Sequence, residues 1–142
     1  MIQRIQSIWL LLAAICGFLV TEAPVFKVTL ANNVQRSIMA TDSLLLFAVI
    51  IGVSCLCAIG IFLFKKRPTQ FRLCIISIIL TIGAIALEVK NVEDYKAATP
   101  GIVKGTYQLG ALLPILMIIF LIMAARAIYK DQKLVKSLDR LR

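Results

Sequence analysis

Residues 43–64 read SLLLFAVIIGVSCLCAIGIFLF, an unbroken run without a charged side chain. A helix needs about 20 predominantly apolar residues to cross a hydrocarbon core about 30 Å thick. In addition, 61% of the 142 residues are hydrophobic, whereas roughly half is usual for a soluble domain. The stretch therefore predicts a membrane-spanning helix and places the chain among the integral membrane proteins.

Three further uncharged runs, at residues 5–21, 73–87 and 105–125, extend this prediction. The run at 73–87 is short, and it spans only if the flanking Arg72 and Glu88 extend their charged ends to the two interfaces. We predict a single all-α membrane domain over residues 1–142, in which four transmembrane helices form an antiparallel bundle. The predicted spans are about 5–21, 43–64, 72–89 and 106–127, followed by a tail helix over 128–142.

The first run follows a short positive start, as a cleaved secretory signal would. However, the candidate cleavage region at residues 20–23, VTEA, lacks the small-x-small pattern, and Pro24 follows directly. We expect an uncleaved signal anchor.

The distribution of charge predicts the orientation. If both termini are cytoplasmic, eleven basic and two acidic residues lie inside, against five of each outside. Cytoplasmic loops usually carry such an excess of Lys and Arg. The whole net charge of +9 would then face the cytoplasm.

This basic excess requires a partner. Anionic lipid headgroups of the cytoplasmic leaflet are one candidate, since each Lys or Arg near the membrane contributes about 1 kcal/mol. A nucleic acid is less favoured, because no aromatic side chains interleave with the basic ones to stack on bases. The candidate contacts with an anionic surface are Lys65, Lys66, Arg67, Arg72, Lys130, Lys133, Lys136 and Arg140.

The two outside loops are too long for tight turns. The first contains VFKVTLANNVQRSIM at residues 25–39, with alternating stretches on both sides of Asn32-Asn33, and it predicts a short hairpin. The second, residues 88–108, contains the turn signal Thr99-Pro100-Gly101. Both loops lie on one side of the predicted membrane and can pack together as a lid.

Small residues predict where the spans approach closely. Ala13 and Gly17 lie four apart in the first span, a spacing that lets helices come close together. The small residues predicted to form one tightly packed face of the second span are Ala48, Gly52, Ser54, Ala58 and Gly60.

The sequence offers no reacting group at membrane depth. It has no histidine, the commonest general base and metal ligand. Its four cysteines lie in predicted spans, and Cys55 and Cys57 point about 200° apart on a helix, so they cannot share a metal. Intramembrane active sites and ion pathways usually carry ionisable residues, and the nearest here, Glu88 and Arg126, lie at span ends. We expect a protein that is not an enzyme and binds no metal or cofactor.

The chain ends in KDQKLVKSLDRLR, residues 130–142, which predicts a charged amphipathic helix. A narrow apolar stripe lies opposite a basic face on the helical wheel. No glycine or proline after Ile115 would stop the fourth helix at the membrane surface. The tail is therefore expected either to continue that helix into the cytoplasm or to lie in the interface, apolar side down. The candidate docking stripe consists of Leu134, Val135, Leu138 and Leu141.

Three segments resemble a known family: MIQRIQSIWLLLAA at the start, KKRPTQFRLC after the second span, and RAIYKDQKLVKSLDRLR at the end. They are similar to a family of small four-span membrane proteins from Bacteroidota, known as domain of unknown function 4293. The resemblance covers the whole chain and implies a multi-pass protein of the bacterial inner membrane with cytoplasmic termini. It implies no activity or substrate. The family favours an acidic residue where Gln132 stands, which weakens any role that rests on charge there.

These observations favour a non-catalytic accessory or scaffold subunit of an inner-membrane assembly that docks through its basic amphipathic tail. The alternative is a small transporter or channel component, which would have to oligomerise. A membrane-bound enzyme acting on lipid is less favoured, because the sequence shows no catalytic group. The stripe can rest on lipid, on the chain's own N-terminus or on a protein, including a second copy, and we favour a protein.

Overall fold

Four helices carry the fold of this computed structural model, which describes residues 2–30, 34–64, 66–99 and 101–139. Each is long and apolar enough to cross a membrane. Consecutive helices are neighbours, and α4 returns beside α1, where the two form the largest interface of the bundle. The helices are α1 (Ile2–Glu22), α2 (Leu44–Phe62), α3 (Arg67–Ala98) and α4 (Leu109–Asp139).

A three-stranded sheet covers one end of the bundle, which we call the sheet end. Its strands are β1 (Pro24–Leu30), β2 (Gln35–Met39) and β3 (Ile102–Tyr107), arranged in the order β2-β1-β3 with both pairs antiparallel. The predicted hairpin is therefore confirmed as β1 and β2, although Asn32 and Asn33 lie outside the described residues. The structure adds one strand to the predicted helical bundle with its hairpin, because the second loop contributes β3. We call the opposite end, where α2 passes into α3, the tail end.

Two apolar clusters form the core along the bundle. One lies between the helices and includes Leu10, Val53, Met117, Leu121 and Ile128, all fully buried. The other lies at the sheet end, where side chains of β1 pack against α2 and α3. It includes Val25, Phe26, Val28, Ile50 and Val92. The sheet is therefore part of the core and not a loose surface hairpin.

Helix α3 is much longer than its predicted span of residues 72–89. At about 1.5 Å per residue its 32 residues extend about 48 Å, beyond a hydrocarbon core of about 30 Å. The loop predicted to begin at Glu88 begins instead at Thr99. In addition, Glu88 does not extend to an interface as expected. It is buried beneath the sheet end, because α3 continues past it and packs on β1.

The small residues of α1 and α2 differ in role. Gly17 is buried, and a methyl group at its position would collide with the Ser54 side chain of α2. The close approach expected at Gly17 is thus confirmed. The single packed face predicted for α2 is wrong, because Ser54 and Gly60 are buried whereas Ala48 and Gly52 are exposed. These four positions do not share one side of a helix with 3.6 residues per turn.

Candidate functional site

At the tail end, α4 runs without interruption through its apolar span and into the predicted tail as far as Asp139. The tail thus continues the fourth helix, one of the two arrangements expected from the sequence. Asp131 lies beside Arg67, the first residue of α3, so the eight residues of α4 after Asp131 extend past the start of α3 at this end. The described part of the tail is residues 128–139, with side chains described as far as Val135.

The predicted basic contacts gather at this end of the bundle. Those with exposed side chains are Lys66, Arg72, Lys130 and Lys133. Lys65 and Arg140 lie outside the described residues, as does the side chain of Lys136. The structure therefore places these four exposed basic side chains at one end of the bundle, on the start of α3 and the tail of α4.

The predicted docking stripe is described only in its first half. Leu134 is 43% exposed, whereas Val135 is half-buried on the side of the tail that faces the bundle. The side chain of Leu138 and the whole of Leu141 lie outside the described residues. Docking through this stripe stays a prediction.

An ion pair fixes the tail to the bundle. Arg67, at the start of α3, places its Nε 2.9 Å from Oδ2 of Asp131. The Asp131 side chain is largely buried and that of Arg67 is one-quarter exposed, so water screens the pair only in part. Arg67 thus differs from the other predicted surface contacts, because its charge is directed at the protein's own tail. Sequence analysis missed this pair, since 64 residues separate its members.

Removing one partner of this pair is expected to destabilise the protein. Asp131→Asn leaves the partly buried Arg67 guanidinium without a counter-ion, which should lower the free energy of unfolding by about 1–2 kcal/mol. The loss should appear in unfolding titrations in detergent micelles. The double substitution Arg67→Met/Asp131→Leu should lower the free energy of unfolding by less than the sum of the losses caused by Arg67→Met alone and Asp131→Leu alone. Additive effects would show that the two side chains do not interact.

Two glutamines are buried at the tail end. Gln70 donates a hydrogen bond from its Nε2 to the carbonyl oxygen of Gly60 at 2.9 Å and so ties α3 to the end of α2. Gln6 is fully buried in α1, and neither polar atom of its side-chain amide has a hydrogen-bond partner among the described residues. Neither was singled out from the sequence, because a glutamine beside an apolar run gives no signal of its burial.

A cavity of about 550 Å³ lies at the sheet end, between β2 and the outer part of α3. We call it the sheet-end cavity. Glu88 lines it, together with Arg36, Asp42 and Asp94. Glu88 also lines a second, mostly apolar groove of about 490 Å³ between α3 and the start of α4, which we call the lateral groove. Sequence analysis named Glu88 only as a span end, and the depth of its burial follows from the sheet that covers it.

The cysteines behave as small apolar side chains. Cys16, Cys57 and Cys74 are buried and Cys55 is exposed, and all four thiols are free. Cys55 and Cys57 thus lie on opposite faces of α2, as predicted. Within the part of the chain that the structure describes, no three His, Cys, Asp or Glu side chains are placed to hold a metal ion.

Comparison with known proteins gives one match. No curated protein and no solved structure matches the chain. The sequence model of one family, described as "Domain of unknown function (DUF4293)", matches residues 2–141, nearly the whole chain. The resemblance noted at both termini and after the second span therefore extends over residues 2–141, and the chain belongs to the DUF4293 family.

Proposed function

We propose that the protein is a non-catalytic accessory subunit of a bacterial inner-membrane assembly, and that its tail binds an acidic surface on a protein partner. One observation carries this proposal. The tail continues α4 as a single helix and is held to α3 by the Arg67–Asp131 ion pair, with Lys130 and Lys133 exposed on it.

A tail held in this way is suited to binding. A helix that is already ordered loses little conformational entropy when a partner docks, so more of the contact energy appears as affinity. Its exposed lysines, together with Lys66 and Arg72 from α3, attract a surface of opposite charge and orient it during encounter.

The charge distribution supports a cytoplasmic location for this surface. With both termini in the cytoplasm, the tail end carries all of the net charge of +9. Anionic headgroups of the cytoplasmic leaflet compete for the same charges. Because α4 is about 46 Å long and a hydrocarbon core about 30 Å thick, we expect the tail to project beyond the membrane, which favours a protein over the lipid surface.

The test reverses the charge of the tail. Tagged protein is purified from its native membranes in mild detergent and weighed by native mass spectrometry. We expect the wild-type chain in a complex of defined mass, and the Lys130→Glu/Lys133→Glu variant as the chain alone. The partner identified in this way, purified separately, should then bind the wild-type chain in nanodiscs of neutral lipid and bind the variant at least ten-fold more weakly.

The matched control is Lys27→Glu/Lys104→Glu, the same change of charge on exposed positions of β1 and β3 at the sheet end. This variant should keep the complex. The proposal is wrong if the tail variant retains the complex, or if the partner binds only when anionic lipid is present.

A further inference from the structure

The sheet-end cavity has the dimensions of a small-molecule site. Its volume of about 550 Å³ lies within the roughly 300–1,000 Å³ of most ligand pockets. Apolar side chains of Val25, Ile38 and Leu46 form part of its wall, and polar side chains from β2 and α3 converge on it. A ligand here would meet both an apolar surface and charged groups.

Glu88 is the unusual member of this lining. Its side chain lines the cavity although the residue is only 4% exposed. Among the described residues, none forms an ion pair or a hydrogen bond with its carboxylate. Burying a carboxylate without a partner is costly, and a cation placed beside it offsets the cost.

The surrounding charges favour the same kind of ligand. Asp42 and Asp94 add two carboxylates to the lining, and Arg36 is its single cationic side chain. The two lysines of α3 nearest to Glu88 do not line the cavity: Lys90 is exposed, and the Nζ of Lys96 lies 4.8 Å from the centre of the Phe26 ring. The lining therefore has a net charge of −2 when all four groups are ionised.

Asn91 adds a polar group that lacks a partner. It lies three residues after Glu88, on the same face of α3, and its buried Nδ2 has no hydrogen-bond acceptor among the described residues. Because this Nδ2 atom is itself buried, the Asn91 side chain would have to rotate before it could donate to a ligand in the cavity.

We propose that the sheet-end cavity binds the primary ammonium group of a small organic molecule, with the Glu88 carboxylate as its counter-ion. An ammonium is a compact cation with three donors, and the apolar wall covers the carbon atoms that carry it. The group can come from a free amine or from the headgroup of an aminophospholipid, since Glu88 also lines the lateral groove. This site lies at the opposite end of the bundle from the tail and does not depend on the proposed function.

Titration of the whole protein with n-butylammonium tests the proposal by calorimetry in nanodiscs of phosphatidylcholine. We expect saturable binding to one site per chain and a rise in melting temperature. Glu88→Gln should weaken the binding at least ten-fold and still fold, because it removes a buried charge. Glu93→Gln makes the same change at an exposed position of α3 outside the cavity and should leave the affinity within two-fold.

Two analogues without the positive charge complete the test, one of them uncharged and the other negatively charged. Butanol and butyrate, which share the carbon chain, should bind at least ten-fold more weakly than n-butylammonium. If Glu88→Gln does not fold, Ala98→Trp decides instead, because Ala98 lines the cavity from the face of α3 that carries Asn91 and Tyr95, and a larger side chain there is expected to fill it. This variant should lose binding. The proposal is overturned if the wild-type chain does not bind n-butylammonium, or if the deciding variant binds it as tightly as the wild type. It is also overturned if butanol or butyrate binds the wild-type chain as tightly as n-butylammonium.

The lipid of the nanodisc distinguishes the two sources. If phosphatidylethanolamine in place of phosphatidylcholine lowers the apparent affinity for n-butylammonium, the headgroup itself occupies the cavity. If the affinity is unchanged, the cavity takes a free amine from water. Either result agrees with an ammonium site at Glu88.

Discussion

Replacing Phe26 by alanine is expected to lower the free energy of unfolding by about 3–5 kcal/mol, the usual cost of truncating a buried phenylalanine. Phe26 is 1% exposed and joins three elements. Its ring lies 4.9 Å from the Tyr107 ring of β3 in an edge-to-face arrangement, and Lys96 of α3 lies over its face. The loss can be measured by titrating detergent-solubilised protein with dodecyl sulfate and following Trp9, which stacks on Phe120 between α1 and α4.

Phe62→Ala is the matched control. Phe62 is 79% exposed at the end of α2, so its truncation removes few contacts within the protein and should change the unfolding free energy by less than about 1 kcal/mol. Because Trp9 reports on the helix bundle, a loss on Phe26→Ala would show that sheet and bundle unfold together. Equal effects of the two substitutions would contradict a sheet that forms part of the core.

The second large effect is expected at Gly110, in the first turn of α4. A methyl group there would lie 2.5 Å from the carbonyl oxygen of Pro24, 2.7 Å from its carbonyl carbon and 2.8 Å from the carbonyl oxygen of Ala23. All three are backbone atoms, which cannot rotate aside, so β1 and α4 must separate. We expect Gly110→Ala to cost about 3 kcal/mol, the upper part of the usual range for an overpacked site.

Gly52→Ala is the control, because it makes the same glycine-to-alanine change in a helix without the close contact found at Gly110. Both glycines lie in helices, but no atom lies within 4 Å of a methyl group added at Gly52. That substitution should be neutral or stabilise by up to about 1 kcal/mol, since alanine is the better helix former. Unfolding titrations of the two variants side by side provide the comparison. A Gly110→Ala protein as stable as the wild type would mean that α4 does not pack this closely on the start of β1.

The sequence was sufficient for the parts of the fold that depend on apolar length. Uncharged runs predicted all four helices, and α2 follows its predicted span to within two residues at each end. The hairpin was predicted from local alternation on both sides of a turn. In each case the determining signal lies within one short segment, because membrane burial and hairpin pairing both act on neighbouring residues.

Features that need distant partners could not be predicted in this way. β3 pairs with β1, which lies more than seventy residues earlier, and residues 102–107 have no strong strand pattern of their own. The charged residues that follow Glu88 suggested a loop, whereas packing of Val92 against β1 keeps them helical.

The candidate sites show the same division. The basic surface of the tail was predicted from charge, since its members lie in two short segments. The Arg67–Asp131 pair and the burial of Glu88 arise from the positions of three helices and a sheet relative to one another. An acidic residue at the end of an apolar run is equally compatible with exposure and burial, and the sheet above it decides between them.

The position of β1 in the middle of the sheet also determines the order in which the sheet forms during synthesis. Its partner β2 follows immediately, whereas its other partner, β3, is complete only after residues 40–107 have been synthesised. At about 5–20 residues per second, β1 keeps one open edge for roughly 3–14 s. An open strand edge is a template for pairing with other chains. The sheet is therefore completed only when the segment between α3 and α4 has been made. A chain interrupted before Tyr107 carries an unpaired strand edge.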